Sequence, residues 1–266
     1  MNAGVQQIIR ALLVCPWLGT ALGFGPAGHD VVGDIAERRL CQQARTTISE
    51  LLDGDSLAYA SRWPDWIRRT PQWSHTAAWH YINVNDDERL EAVVGRPGGD
   101  VVAITRRHLD RLADERLSPA QRGQSLRFAA HFLADIHQPL HVGRAVDRGG
   151  NKVALRLNGE STNLHALWDA QHLLRSYGLE RSALSRHLAA QIRGNEAAWR
   201  GGDPLSWAQE SKALRPLVYG GIVGRRPVLA DGDRYLSTAR DIVSERLAQA
   251  GVRLADSLNS IFCNGF

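Results

Sequence analysis

Lysine is almost missing from this chain of 266 residues: of its 32 basic side chains only Lys152 and Lys212 are lysines, the rest being arginine. The formal net charge is a modest +4, with both signs interleaved along the sequence. Such a balance lacks the dense basic patches of a tight duplex binder, yet it tolerates a phosphate-bearing substrate. Cysteine is scarce as well, with Cys15, Cys41 and Cys263 only, so thiolates cannot supply a zinc site of their own. No N-x-S/T sequon occurs, and N-glycosylation is not implied. No Ser/Gly-rich or Pro-rich linker, repeat or polar low-complexity tract marks a boundary or argues for disorder. One domain with a substantial core is the expectation.

A long apolar run is also absent. The first residues, MNAGVQQIIRALLVCPWLGTALG, offer a basic Arg10, an apolar run from Ala11, and small residues at Ala21 and Gly23. The run falls short of the about 20 residues needed to cross a bilayer and has the form of a signal peptide cut before Phe24. Residues 1–23 are thus expected to be removed, leaving 24–266 as a secreted or periplasmic domain without stable membrane association. A buried N-terminal helix is the alternative; lipoprotein processing at Cys15 is disfavoured, because LLVC lacks the small residues such a site needs. Export would leave Cys41 and Cys263 as one pair in an oxidising compartment, which favours a disulfide over two free core thiols.

What is present is helical periodicity. Gly28 to Leu52 carries apolar Val31, Val32, Ile35, Ala36 and Leu40, and Asp100 to Leu117 repeats the pattern with Val101, Ile104, Leu109 and Leu112. Pro119 stands where a first helical turn favours proline, opening a helix that runs into HFLADIHQPLH, His131 to His141. Further helices are expected over 163–177, 180–200, 203–218 and 233–262. The one convincing β signal is KVALRLNGEST, where Asn158-Gly159 suits a hairpin turn. The expected fold is mainly α, a helical bundle with one small hairpin.

On a helix, His131 and Asp135 lie one turn apart and project from the same face, where they can share one ion. His141 follows close to that face, with Pro139 disturbing the backbone between them, and His137 points elsewhere as a structural residue. NLHALWD repeats the His-x-x-x-Asp spacing at His165 and Asp169. Imidazole and carboxylate suit zinc in a hydrolytic site, although a lone pair of this kind is more often a satisfied hydrogen bond. The apolar setting shifts the balance, since a buried carboxylate needs a partner and a metal ion is the strongest. SRWPDW and AAWHYINV add Asp65 and His80, with Trp63, Trp66, Trp73 and Trp79 read as core or cleft walls rather than a base-stacking row. FGPAGH places His29 five residues after Phe24, whose amine, once freed, can chelate a metal with its own carbonyl.

The order F-G-x-x-G-H, W-x-D-x-x-R, W-H-Y-I-N, H-F-x-x-D-x-x-Q-P-L-H, G-G-N and N-L-H-x-x-W-D, running from Phe24 to Asp169, resembles the secreted zinc-dependent nucleases of the S1/P1 type. The resemblance implies a phospholipase C/nuclease P1-like fold and three Zn2+. One ion would take Asp65, His80, His131 and Asp135; a second His141, His165 and Asp169; a third the Phe24 amine and carbonyl, His29 and Asp135. The family usually begins its mature chain with tryptophan, so phenylalanine here puts the packing around the third ion in doubt. The resemblance further implies hydrolysis of single-stranded DNA and RNA to 5′-phosphorylated products, with 3′-nucleotides as additional substrates, by a monomer using a zinc-bridging hydroxide. Arg68 and Asp65 match catalytic positions, Arg68 holding non-bridging phosphate oxygens. Tyr81 matches a base-stacking aromatic. Asn83 stands where fungal members carry an aspartate, so base preference is expected to differ. Asn151 and Asn163 are expected to fix ligands or loops.

Two rivals stay open at this point. Zinc phospholipases C share the fold and most ligands, but their last pair ends in glutamate where this chain has Asp169. A non-catalytic periplasmic zinc-binding protein would bind metal yet leave Arg68 and Tyr81 without a role.

Overall fold

Apolar residues three and four apart form the first helix among the described residues, α1 (Gly25–Glu37), with Val31, Val32, Ile35 and Ala36 all buried. The computed structural model describes residues 24–157, 159–192, 194–223, 228–229 and 232–263; the expected signal peptide, 1–23, lies outside them. The single helix expected from Gly28 to Leu52 is two helices. Cys41 adopts an extended backbone and its sulfur accepts from the Ala44 amide, capping a separate α2 (Gln42–Leu51). Short helices α3 (Leu57–Ala60) and α4 (Trp63–Ile67) follow, then a 3-10 segment over Pro71–His80.

Asp100 caps α5 (Val101–Ala113) by accepting from the Val102 and Ala103 amides, each at 2.9 Å. The helix stops short of the expected Leu117, because Asp114 turns extended and binds the Arg116 amide. Ser118 and Gln121 form a reciprocal capping box, with Pro119 in the first turn, and launch α6 (Pro119–Ile136) as expected. From Phe128 onward α6 has no exposed face. Such a helix is surrounded, here by α5 and by the C-terminal helix among others. It ends at Ile136, so His141 arrives on a 3-10 turn over Pro139–Val142 rather than on the helix itself.

β1 (Ala154–Leu157) and β2 (Glu160–Asn163) pair antiparallel with Leu157 opposite Glu160, as the expected hairpin requires; Asn158 of its turn lies outside the described residues. The helix expected over 163–177 divides into α7 (Leu164–Trp168) and α8 (Gln171–Arg175), because Ala170 takes a left-handed φ of 70°. That over 180–200 divides into α9 (Arg181–Gln191) and α10 (Glu196–Trp199), with Gly194 at φ 91° between them. Asp203 caps α11 (Pro204–Ala213), and Pro216, which has no N–H to continue the ladder, marks the separate α12 (Arg215–Gly220). A second strand pair, β3 (Ile222–Val223) with β4 (Val228–Leu229), was not signalled by the sequence. The 31-residue α13 (Gly232–Phe262) lies along α1 and touches α6.

The fold is mainly α, and its buried apolar residues form one cluster reaching from Phe24 to Phe262. Cys41 and Cys263 are joined by a disulfide that ties the start of α2 to the end of α13. Asn259 stitches the same junction, accepting from the Cys41 amide and donating to the Arg39 carbonyl, both at 2.9 Å. A disulfide typically stabilises by about 2–4 kcal/mol.

Candidate metal centre

Asp135, wholly buried on α6, is the hub. Its Oδ2 lies 3.1 Å from His131 Nε2 and 3.0 Å from His80 Nδ1, while its Oδ1 lies 3.4 Å from His29 Nε2 and 3.5 Å from His141 Nδ1. Each imidazole comes from a different piece of chain. His131 comes from one turn before Asp135, His80 from the end of the 3-10 segment, His29 from α1, and His141 from the 3-10 turn after α6. The His29 ring stacks on that of His131 with centroids 4.0 Å apart. Asp65, in α4, brings Oδ1 to 3.9 Å from His80 Nδ1 and 4.0 Å from His131 Nε2. His165, from α7, and Asp169, just past its end, stand 3.5 Å apart, and His141 Nε2 is 3.8 Å from the same Asp169 oxygen.

Backbone carbonyls select the tautomers. His131 Nδ1 donates to Ser61 at 2.6 Å, His141 Nδ1 to His80 at 2.7 Å and His165 Nδ1 to Gly149 at 2.7 Å. With the proton on Nδ1, Nε2 of His141 and of His165 keeps a lone pair free for a cation, while Nε2 of His131 faces His80 Nδ1 at 2.9 Å. The Gly149-Gly150 pair, both with positive φ, makes the last of these contacts possible: a Cβ on Gly149 would stand 2.4 Å from the Leu140 carbonyl oxygen.

The residues present fit a metal. His29 Nδ1 and Nε2, Asp65 Oδ1, His80 Nε2, Asp135 Oδ1, His141 Nε2 and His165 Nε2 are buried and make no hydrogen bond. A buried polar atom left unmet costs about 1–3 kcal/mol, so a gathering of them marks an unfilled coordination requirement. The residues of the centre fall into three sets compact enough for an ion each: Asp65, His80 and His131; His141, His165 and Asp169; His29, His131 and Asp135. His131 is therefore shared by two of the sets, and Asp135 of the third also reaches His80 of the first through Oδ2 at 3.0 Å. Imidazole with carboxylate is a donor set suited to zinc.

Titration behaviour says the same. Burial holds His80 down at about 3 and lowers His29 and His165, keeping them in the neutral form that ligates. Burial also opposes charge on His131 and His141, yet Asp135 raises both. Burial penalises the Asp135 carboxylate too, but His131 and His141 hold it well below the usual range. A carboxylate that recruits imidazolium charge in a dry interior is one that a divalent cation would satisfy.

Phe24 is buried at the head of α1, and a Cβ on the following Gly25 would stand 3.2 Å from the Asp169 carbonyl oxygen, so the described chain starts against this centre. Arg68 NH2 is 3.0 Å from Asp65 Oδ1, a charge contact, since that oxygen accepts no aligned hydrogen bond. The Ile82 and Val84 amides donate to the His141 and Gly143 carbonyls at 2.7 and 3.0 Å, making 81–84 extended. Alternation then buries Ile82 and Val84 and turns Tyr81 and Asn83 outward. Asn151 fixes its loop by donating to the Arg148 carbonyl, and Asn163 caps α7. His137 is structural, as expected: its Nδ1 donates to Leu133 and its Nε2 accepts from Arg253.

Two contributors went unassigned from the sequence. Buried Gln138 donates to Asp169 Oδ1 at 2.9 Å and accepts from the Leu140 amide, coupling the two elements that carry His141 and Asp169. The Q-P-L of the motif marked its position but not its target. Ser61 acts through its main-chain carbonyl, for which no side-chain signal exists.

The family model described as S1/P1 Nuclease matches residues 24–263. The chain belongs to the S1/P1 nuclease family. Among the relatives of this S1/P1 chain is Endonuclease 4 of Arabidopsis thaliana, 31% identical over 98% of this chain and 97% of that protein. Nuclease P1 of Penicillium citrinum is 28% identical, covering 90% of this chain and 97% of its own. Nuclease S1 of Aspergillus oryzae is 25% identical, with 90% and 92% covered. The S1/P1 match spans every residue of the centre from Phe24 to Asp169.

Proposed function

We propose that this chain is a secreted zinc-dependent endonuclease, which hydrolyses phosphodiester bonds of single-stranded DNA and RNA to 5′-phosphorylated products and also releases phosphate from 3′-nucleotides. The observation that carries the reading is the convergence of buried, unpaired imidazole nitrogens and carboxylates on Asp135, in a chain related to proteins named as nucleases. Asp65, His80, His131 and Asp135 hold one ion in this reading, and His141, His165 and Asp169 a second. His29, Asp135 and the freed amine and carbonyl of Phe24 hold a third. Bound zinc supplies Lewis acidity at the phosphoryl group and lowers the pKa of a water toward about 7.

The chain's own residues do the rest. Arg68, held beside the centre by its contact with Asp65, donates to the non-bridging oxygens as charge develops. Asp65 thereby serves twice, as ligand and as anchor of that arginine. Tyr81, 39% exposed, offers a face on which an unpaired base stacks, and Asn83 on the same outward side meets a base edge with both a donor and an acceptor. A stacked duplex resists delivering a base to that position, which makes single strands the substrate. Residues 1–23 act as the signal peptide, and their removal frees the Phe24 amine. None of the described helices is long and apolar enough to cross a membrane. The enzyme acts as a monomer.

Metal analysis of the chain starting at Phe24, joined to cleavage assays on unpaired DNA, duplex DNA and phosphatidylcholine vesicles, tests the proposal. Three zinc ions per chain and preferential cutting of unpaired DNA are expected. Lipid turnover without nucleic-acid cleavage would overturn it. A chain carrying extra residues before Phe24 should bind one zinc fewer, and full metal content there would remove Phe24 from the ligand set.

A further inference from the structure

The four tryptophans from Trp63 to Trp79 do not share one fate. Trp63, Trp73 and Trp79 all pack against Phe128 of α6, with ring centroids 5.2, 5.8 and 5.6 Å away. They wall the core beneath the metal centre. Trp66 is not part of that packing. Its neighbours are Tyr59, edge-on at 5.2 Å, and the Arg62 guanidinium, 5.2 Å above its ring. Tyr59 is 49% exposed, while the other three residues of α3, Leu57, Ala58 and Ala60, are buried. Trp66 is partly buried like the other three tryptophans but, unlike them, does not pack against the apolar core, so core packing gives no reason for this group of two aromatic rings and an arginine.

Their location gives one. Ser61, next to Arg62, accepts the His131 Nδ1 proton through its carbonyl and bonds the His29 carbonyl through its hydroxyl at 3.2 Å. Asp65, of the metal centre, precedes Trp66 directly. Arg62, Asp65 and Arg68 recur at every third residue, which sets an arginine on each side of the carboxylate along one face of the turn. Arg68 is committed to Asp65 at 3.0 Å. Arg62 reaches only a loose 3.8 Å contact with Asp30, and its side chain stays 30% exposed.

We propose that Tyr59, Arg62 and Trp66 form a second nucleotide subsite, taking the base and phosphate of a nucleotide neighbouring the scissile bond. This rests on the nuclease reading above and extends it. The chemistry is that of single-strand recognition: base faces stack on aromatic rings whatever their sequence, and a guanidinium over a ring face keeps N–H groups for phosphate oxygens. Tyr81 follows the centre's His80 and Trp66 follows its Asp65, so a substrate at least two nucleotides long engages both. The subsite therefore favours oligonucleotides over mononucleotides.

The test compares an unpaired oligothymidylate with bis(4-nitrophenyl) phosphate, a diester without bases, as substrates of the zinc-loaded enzyme. Trp66→Ala should lower the oligonucleotide-to-small-diester ratio of kcat/KM roughly tenfold, mainly through KM, as loss of one stacked base predicts. Trp66→Phe, which keeps a ring, should restore most of it, and Arg62→Gln should weaken the salt dependence of oligonucleotide KM. Fluorescence anisotropy of labelled oligothymidylate on the chelator-treated protein should show the same order of affinities without turnover. An unchanged ratio, or an equal loss on both substrates, overturns the subsite. Failure of the unaltered enzyme to cut either substrate overturns the nuclease reading instead, a separate result.

Discussion

Within a few residues at the end of α6 the chain serves two buried polar clusters of opposite character. Behind the helix, His137 spends both ring nitrogens, donating to Leu133 at 2.8 Å and accepting from Arg253 at 2.9 Å. Arg253 forks onto both oxygens of Glu210 at 2.6 and 2.7 Å. Arg246 meets Glu210, Gln249, Ser211 and the carbonyls of Trp207 and His137. In front, around Asp135, the imidazoles and carboxylates are as deeply buried, but beyond the contacts of His80 with Asp135 and His131 several of their atoms, His29 Nε2, Asp135 Oδ1, His141 Nε2 and His165 Nε2 among them, make no hydrogen bond. Burial is common to both; the hydrogen-bond inventory separates them. A cluster that closes on itself stabilises the fold, whereas one that leaves lone pairs converging on carboxylates is built for a cation. His108 supplies a third case. It is buried, stacks on Phe128 at 4.6 Å and leaves both ring nitrogens unpaired, but its charged neighbours are Arg107 and Arg111. An orphan imidazole without carboxylates is no ligand set.

The sharpest way to break this comparison is at its front. Asp135→Ala should lose zinc and lower single-strand cleavage on the order of 10³-fold or more, beyond the 10–100-fold typical of groups outside the ligand shell. Full zinc content in that variant would end the distinction. Chelation comes next: with zinc at about 1,000 times its Kd, stripping it should cost about 4 kcal/mol of stability, read as a drop in Tm that zinc alone reverses. At the back, Arg253→Met should cost about 2–3 kcal/mol, below the about 3–5 kcal/mol of a fully buried pair because Glu210 is 41% exposed. Its Tm should fall while zinc content and activity well below the Tm persist. Gln138→Leu probes the border, since it removes the donor to Asp169. It should weaken zinc binding about 10–100-fold at one position only, measurable by competition with a chromophoric chelator.

The smallest expected effect belongs to His108. Burial, with Arg107 and Arg111 nearby, holds it at about 4, below the 6.5 of the unfolded chain. Between those values the unfolded state binds the extra proton, so stability falls as pH drops through the window, by at most about 1.4 kcal/mol per pH unit. His108→Phe should flatten that slope in pH-dependent melts of the metal-free protein, and an unchanged slope would assign the titration elsewhere.

Much of the centre was legible because its relations are local. His131 and Asp135 sit one turn apart on a helix whose start was readable at Pro119. His165 and Asp169 hold the same spacing, although the helix ends just before Asp169. Helix breaks were less legible: apolar periodicity runs on through Arg38–Cys41 and through Ala170, and only packing against other elements shows where the backbone turns. Trp66 looked like its three neighbours, and the partner of Gln138 lies 31 positions away in the chain.

The order of residues by itself determined the chemistry available: which side chains can ligate, at what helical spacing, with which caps and which two cysteines. Only the tertiary structure decided which of the buried histidines keep a free lone pair, because that depends on where carbonyls such as those of Ser61, His80 and Gly149 come to rest. A hydrogen bond consumes a nitrogen or leaves its partner nitrogen open, and no local pattern can state that before the distant strands of chain have met.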